Sequence, residues 1–196
     1  MKHLIIPALL VCFAATPALA NEYVNSDYVY GYSATIEVGD DYEASGFGIA
    51  GRFSVSPDGK IVGDWRQYSD EIFGFDVDVN IGQLGYRHTL AQDPGYAFSV
   101  AAGVIGGNVE TDFDDVLESF GVELEDSTYF VAADIEFGIG SAGVLDGEIQ
   151  FTGIEGSEWS SKLGYTQYLA PNFGIRAAGR FGEDLNQYEL GAVFRF

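Results

Sequence analysis

From residue 21 onward the chain is written in period two. A large apolar or aromatic residue stands at every second position, with Gly, Ser, Thr or a charge between. Successive side chains of a strand point to opposite faces, so this spacing predicts strands with one apolar and one polar face. The last segment is the clearest: Tyr188, Leu190, Ala192, Phe194 and Phe196 share one face, and Glu189, Gly191, Val193 and Arg195 the other. The same rhythm sets Tyr28, Tyr30, Tyr32, Ala34 and Ile36 opposite Glu37, and Phe47, Ile49 and Phe53 opposite Arg52. It also sets Tyr129, Val131, Ala133, Ile135 and Phe137 opposite Asp134 and Glu136.

Turn signals cut this pattern into hairpins. A tight set lies at Pro57-Asp58-Gly59-Lys60, Gln92 to Gly95, Ser141 to Gly147 and Ala170-Pro171-Asn172; a more acidic, longer set alternates with it, the longest from Glu110 to Ser127. Ten strands are predicted, over 27–38, 45–55, 60–68, 72–90, 96–109, 128–140, 145–154, 159–169, 173–182 and 187–196. Eight is the alternative, because 60–68 has only Ile61 and Trp65 clearly apolar on its outer face. The segment 72–90 exceeds the roughly 9–11 residues that cross a bilayer. Its phase also slips near Gly82, where Leu84, Tyr86 and Leu90 take over from Phe75, Val77, Val79 and Ile81 on the other parity. A bulge at Gly82, or a strand reaching beyond the membrane, accounts for this.

The first 20 residues read differently. Lys2 and His3 precede an apolar run from Leu4 to Ala15, and Ala18-Leu19-Ala20 is an A-x-A cleavage site. This is the pattern of a secretory signal peptide, too short for a permanent membrane helix. The expectation is a leader over 1–20 and one barrel domain over 21–196. Cys12 lies in the leader, with Val11 where a lipoprotein site needs a small residue, so neither lipidation nor disulfide or thiol chemistry is expected of the mature chain. Without Lys2, the net charge of −21 becomes one unit more negative, which excludes nucleic acid as a partner. An aromatic content of 15% argues against disorder.

The placement of charge decides between a soluble and a membrane barrel. Seven basic residues, Arg52, Arg66, Arg87, Lys162, Arg176, Arg180 and Arg195, fall on the non-aromatic face, and Lys60 falls in a turn. Glu37, Asp64, Asp76, Asp78, Asp134, Glu136, Asp146, Glu148 and Glu189 share that face. A soluble β-sandwich or lipocalin-like barrel would turn it outward. A membrane barrel turns it into the lumen, because a charge facing lipid at mid-depth costs about 2–4 kcal/mol. Aromatics near strand ends, among them Tyr28, Phe53, Tyr86, Tyr129, Trp159 and Phe196, suit interfacial girdles.

The leader, the alternating strands and the ending Tyr188-Glu189-Leu190-Gly191-Ala192-Val193-Phe194-Arg195-Phe196 resemble the small Gram-negative outer-membrane proteins, the porin-like and opacity-type β-barrels. The resemblance implies an antiparallel up-and-down transmembrane barrel, contact with outer-membrane lipid and lipopolysaccharide, and delivery by periplasmic chaperones. It also implies that Tyr188, Leu190, Ala192, Phe194 and Phe196 form the signal read by the barrel-assembly machinery. It implies no single activity.

The chemical motifs are weak. Gly46-Phe47-Gly48-Ile49-Ala50-Gly51 matches G-x-G-x-x-G but sits inside a strand, with no helix behind it to hold a pyrophosphate. Asp76-Val77-Asp78-Val79-Asn80 starts like a calcium loop, yet Ile81 stands where Gly is needed. His88 is the mature chain's one histidine, expected to face outward near a tight turn rather than to serve as an acid–base group. The acidic loops offer oxygens suited to divalent cations, but ligand spacing is absent and solvation is the simpler reading. No metal, cofactor or catalytic residue is assigned. Ten strands are well below the 16–18 of open porins, which favours a plugged lumen. If a path exists, excess lumen carboxylate would favour cations. The leading expectation is a non-enzymatic barrel with a structural or narrow porin-like role. A surface interaction protein acting through its acidic loops comes next, and a barrel enzyme last.

Overall fold

A computed structural model describes residues 21–38, 42–72, 75–111, 125–153, 158–183 and 185–196. The expected leader and most of the acidic Glu110–Ser127 loop lie outside the described residues. The strands are β1 (Tyr28–Val38), β2 (Tyr42–Ser54), β3 (Gly59–Ile72), β4 (Phe75–Asp93), β5 (Tyr96–Thr111), β6 (Glu125–Ile139), β7 (Gly143–Gly153), β8 (Glu158–Ala170), β9 (Phe173–Phe181) and β10 (Leu185–Arg195). Each pairs antiparallel with its chain neighbours, and β1 pairs with β10 to close a ten-stranded barrel. Closure removes the sheet edges, so every strand's backbone groups find partners without water. The weak segment 60–68 is a full strand, longer than its sequence signal, and the eight-strand alternative falls.

The barrel is turned inside out relative to a soluble protein. Phe47, Ile49, Phe53, Trp65, Leu84, Tyr86, Val131, Ile149, Leu163, Ile175, Leu190 and Phe194 are exposed on the outside. Arg52, Lys60, Arg66, Arg87, Arg176 and Arg180 are buried within. Such a surface is stable where the surrounding solvent is hydrocarbon. A second, apolar cluster fills part of the interior, with Tyr30, Tyr32, Ala34, Ile36, Ala44 and Tyr68 buried and Val79 and Ile81 packed against them.

Three expectations about facing are corrected. In β1 the aromatic row points inward. Tyr30 is 1% exposed, whereas Gly31 and Ser33 on the other face are open. Tyr28 is therefore no girdle residue, and Glu37 lies on the outward parity of β1 rather than in the lumen. The physical reason is room. Gly48 stands directly across from Tyr32, and a Cβ there would meet its ring at 2.4 Å, so the glycine makes space for an inward tyrosine. Lys60, assigned to a turn, is the second residue of β3 and is buried.

The third correction concerns β4. Its register with β3 runs unbroken from Gly59↔His88 to Ile72↔Phe75, so there is no bulge at Gly82. The irregularity lies instead at Thr89/Ala91, beside a tight turn. Along β4 the inward set is continuous through Val79, Ile81, Gln83, Arg87 and Thr89. What changes is polarity. Below Gly82 the outward residues are Leu84, Tyr86 and Leu90, and above it they are Asn80 and Asp78. Asp78 therefore faces outward, accepting a hydrogen bond from the Ser69 hydroxyl on the neighbouring strand. Asp76 belongs to the same parity, and its side chain lies outside the described residues. The outer face turns from apolar to polar at Gly82, so the rule for which face is apolar reverses while the geometry does not.

The transverse row Trp65↔Gly82↔Gly106↔Ser127 marks that change across β3 to β6. These four strands have 14, 19, 16 and 15 residues, against 11 or fewer in β7, β9 and β10. One wall of the barrel is thus taller than the rest. Leu84→Arg should destabilise the barrel by about 2–4 kcal/mol when refolded in lipid vesicles. Asn80→Arg, only four residues up the same outward face, should change stability by about 0.5 kcal/mol or less. Urea unfolding followed by the loss of heat-modifiable migration reads both, and equal effects would refute the boundary.

Candidate functional site

Among the described residues, the lumen is where the strands bring many charges together. β2, β4 and β6 carry Arg52, Arg87, Asp134 and Glu136 toward the end of the barrel that holds the tight turns, where Glu136 is the hub. Arg52 engages it with both guanidinium amines, Nη2 to Oε2 at 3.1 Å, and Arg87 Nη2 lies 2.9 Å from Oε1. Arg87 also pairs with Asp134. On the opposite wall Arg176 makes a two-pronged pair with Asp146, Nη2 to Oδ2 at 2.7 Å. Arg180 donates to Glu148 at 2.9 Å, and Lys162 to Glu189 at 2.7 Å. Tyr32 donates its hydroxyl to Asp64 at 2.8 Å. Guanidinium groups also lie over tyrosine rings, Arg52 at 4.7 Å from Tyr28 and Arg176 at 5.6 Å from Tyr30.

Most of the residues picked from sequence meet in this network. Arg52, Asp64, Arg87, Asp134, Glu136, Asp146, Glu148, Lys162, Arg176, Arg180 and Glu189 all join it. Arg66 is buried on the inward face of β3, with its Nε and Nη1 unpartnered. Arg195 sits at the rim, 4.8 Å from the Tyr23 ring and 3.5 Å from Glu22. Glu37 and Asp78 stand apart, as described above. Tyr188, Leu190, Phe194 and Phe196 are exposed on the outer face, which Ala192 shares by parity.

With Lys60 inside as well, all eight basic residues after residue 20 face the lumen or its rim. Their carboxylate neighbours among the described residues are nearly as numerous. Among the described residues the interior is close to neutral, so no carboxylate excess is found there, and Glu37 and Asp78 lie on the outer face. His88 faces outward with its ring stacked beside Tyr86, centroids 6.5 Å apart, and Gly46 to Gly51 lie in β2. Among the described residues no group of three or more His, Cys, Asp or Glu side chains is placed to hold a metal ion.

One component was missed in the sequence. Residues 21–27 enter the mouth of the barrel at its tight-turn end as a turn and line the floor of the lumen. Asn21 donates its backbone N–H to Pro94 O at 2.7 Å and its side-chain amide to Gly143 O at 2.7 Å, and its Oδ1 accepts the Tyr23 N–H at 3.0 Å. Tyr23 stacks on Tyr168 with centroids 4.1 Å apart. Asn25 donates its N–H to Glu136 Oε2 at 2.7 Å and its side-chain amide to Gln92 at 2.8 Å. Above the turn lies a cavity of about 130 Å³, lined by Tyr23, Arg52, Arg87, Asp134, Asp146 and Arg176 among others. It has room for several waters. The segment has no strand rhythm, and its polar residues resemble a linker; only its partners reveal its role.

No family model matches the chain, and no curated protein matches it either. Solved structures do. The translocator domain of the autotransporter NalP from Neisseria meningitidis is similar at a TM-score of 0.54 and 9% identity, covering 89% of this chain and 90% of that one. The fold is that of the outer-membrane β-barrels. The outer-membrane protein OprG from Pseudomonas aeruginosa is also similar, with a TM-score of 0.45, 10% identity, and coverage of 87% of this chain and 96% of that one. So is the Neisserial surface protein A, at 0.43 and 12%, covering 87% and 97%. At such identities the likeness is one of fold alone.

Removing Glu136 leaves two buried guanidinium groups without their shared anion. Glu136→Ala should therefore cost about 3–5 kcal/mol, read from the urea midpoint of the refolded barrel. Asp27, just before β1, is held by Lys60 and Ser54. Partial burial raises its carboxyl pKa, but the Lys60 ammonium and the two Ser54 donors outweigh this and hold it below the ordinary value. A lowered folded pKa gives stability that is present above the unfolded value, about 3.9, and lost as pH falls through the folded one. Asp27→Asn should abolish that acid-side loss, as measured by thermal midpoints across an acid pH series.

Proposed function

We propose that this chain is a non-enzymatic outer-membrane β-barrel of structural role, with a lumen that does not pass solutes. The observation that carries the reading is the filled interior. Buried ion pairs, buried tyrosines and the turn at 21–27 occupy the space that an open porin leaves to water. The apolar exterior supports a location in a bilayer. A Gram-negative outer membrane follows from the leader over 1–20, which would carry the chain across the inner membrane, and from the terminal strand. The outward Tyr188, Leu190, Phe194 and Phe196, with Ala192 between, would present the assembly signal to periplasmic chaperones and the barrel-assembly machinery. Outer-membrane lipid and lipopolysaccharide are the surroundings of the finished barrel.

A second reading draws on the tall wall. β3 to β6 rise past the apolar band with Ser69, Asp78 and Asn80 on the outside. That polar face and the acidic loops between strands suit a surface interaction role, with divalent cations as candidate ligands of the loops. The two readings are compatible, since a closed barrel can anchor an outward-facing surface.

Planar-bilayer recording tests the first. Refolded protein should give no steady conductance while showing heat-modifiable migration on a gel. Steady, solute-selective conductance would replace the structural reading with a narrow pore. A protein that stays soluble with no migration shift would sink the barrel assignment itself.

A further inference from the structure

We infer that residues Asn21–Asp27 form a displaceable stopper that closes the periplasmic mouth and controls access to the lumen cavity from that side. The segment forms no ladder with any strand. It is held by separate contacts to almost every part of the rim: Arg52 and Ser54 on β2, Gln92 on β4, Glu136 on β6, Gly143 on β7 and Tyr168 on β8. Such a set closes the mouth, yet each contact breaks without unpairing a strand. Tyr23 is itself part of the cavity wall, so withdrawing the segment removes the floor of that space.

The fit carries slack. Asn25 sits at φ 55°, in the left-handed region that asparagine tolerates better than most residues, and its Oδ1 is buried without a partner. Asn21 is seated only because residue 138 is glycine. A Cβ on Gly138 would come within 2.5 Å of the Asn21 Cβ and 3.1 Å of its amide nitrogen. The barrel wall thus keeps a vacancy matched to the first residue of the segment. The contact that ties stopper to wall most directly is the Asn25 N–H on Glu136, the same carboxylate that gathers Arg52 and Arg87. The seal and the charge network therefore share one anchor, and the clasp of Asp27 with Lys60 and Ser54 marks where the segment joins β1.

Thiol labelling tests this without depending on membrane location. In a Cys12→Ser background, Ala101→Cys places the chain's sole thiol on the cavity wall. The probe is a trimethylammonium-ethyl methanethiosulfonate applied to the refolded barrel in detergent micelles. The parent should be protected. Deleting residues 21–26 should raise the labelling rate ten-fold or more. Gly138→Val, which leaves the segment in place but fills its seat, should do the same, as should Asn25→Pro, which cannot adopt the positive φ or donate to Glu136. Heat-modifiable migration confirms that each variant is folded, and three separate variants keep the test alive if one is not. Equal labelling of the parent and the folded variants, whether fast or slow, overturns the stopper. Planar-bilayer silence of the parent is a separate readout, so a failed stopper and a failed closed-lumen reading are told apart.

Discussion

Every basic side chain after residue 20 avoids the outer face, and that constraint organises the rest of the molecule. A lipid-facing charge costs more than an average contact returns. Guanidinium and ammonium groups are therefore driven into a narrow lumen, where an unpaired charge is equally costly. The pairs Arg52–Glu136, Arg176–Asp146, Arg180–Glu148 and Lys162–Glu189 follow. So does the near-neutral interior of a chain whose net charge is −21.

The pairs do not by themselves make the barrel stable. Burying an ion pair recovers little more than its desolvation, and losing one partner is what hurts. Their value lies in specification. An up-and-down barrel slipped by two residues keeps its apolar face outside but separates Arg176 from Asp146 and Arg52 from Glu136. Buried pairing thus selects one register among several that lipid alone would accept.

The strand count, the closure and the inward placement of most charges were legible in the sequence, because alternation is a direct print of the pleat. Glu37 and Tyr28 misled for a physical reason. Tyrosine is read as an outward girdle residue, yet its hydroxyl and ring also suit a polar lumen with guanidinium neighbours, and period two cannot tell the faces apart when neither carries a basic residue. In β4 the sequence left two explanations open, a bulge or a strand longer than the apolar band, and only the bulge fails. Ile81 and Leu84 lie on opposite parities, and one solvent on the outside would require a bulge between them. Two solvents require none. The turn at 21–27 was illegible because its information lies in its partners: nothing in Asn21 or Asn25 announces Gly143, Glu136 or the space left by Gly138.

The taller wall of β3 to β6 has a consequence for how the molecule meets the outside. A barrel with level staves offers the same rim from every direction, and a visitor has no preferred bearing. Here four adjacent staves stand above the others like a parapet, polar without and lined by Val79, Ile81 and Tyr68 within. Among the described residues, the part that rises past the apolar band is therefore one-sided. For a barrel held in a bilayer, rotation about the membrane normal would change what a neighbour encounters, so azimuth would become a property that lateral contacts can select.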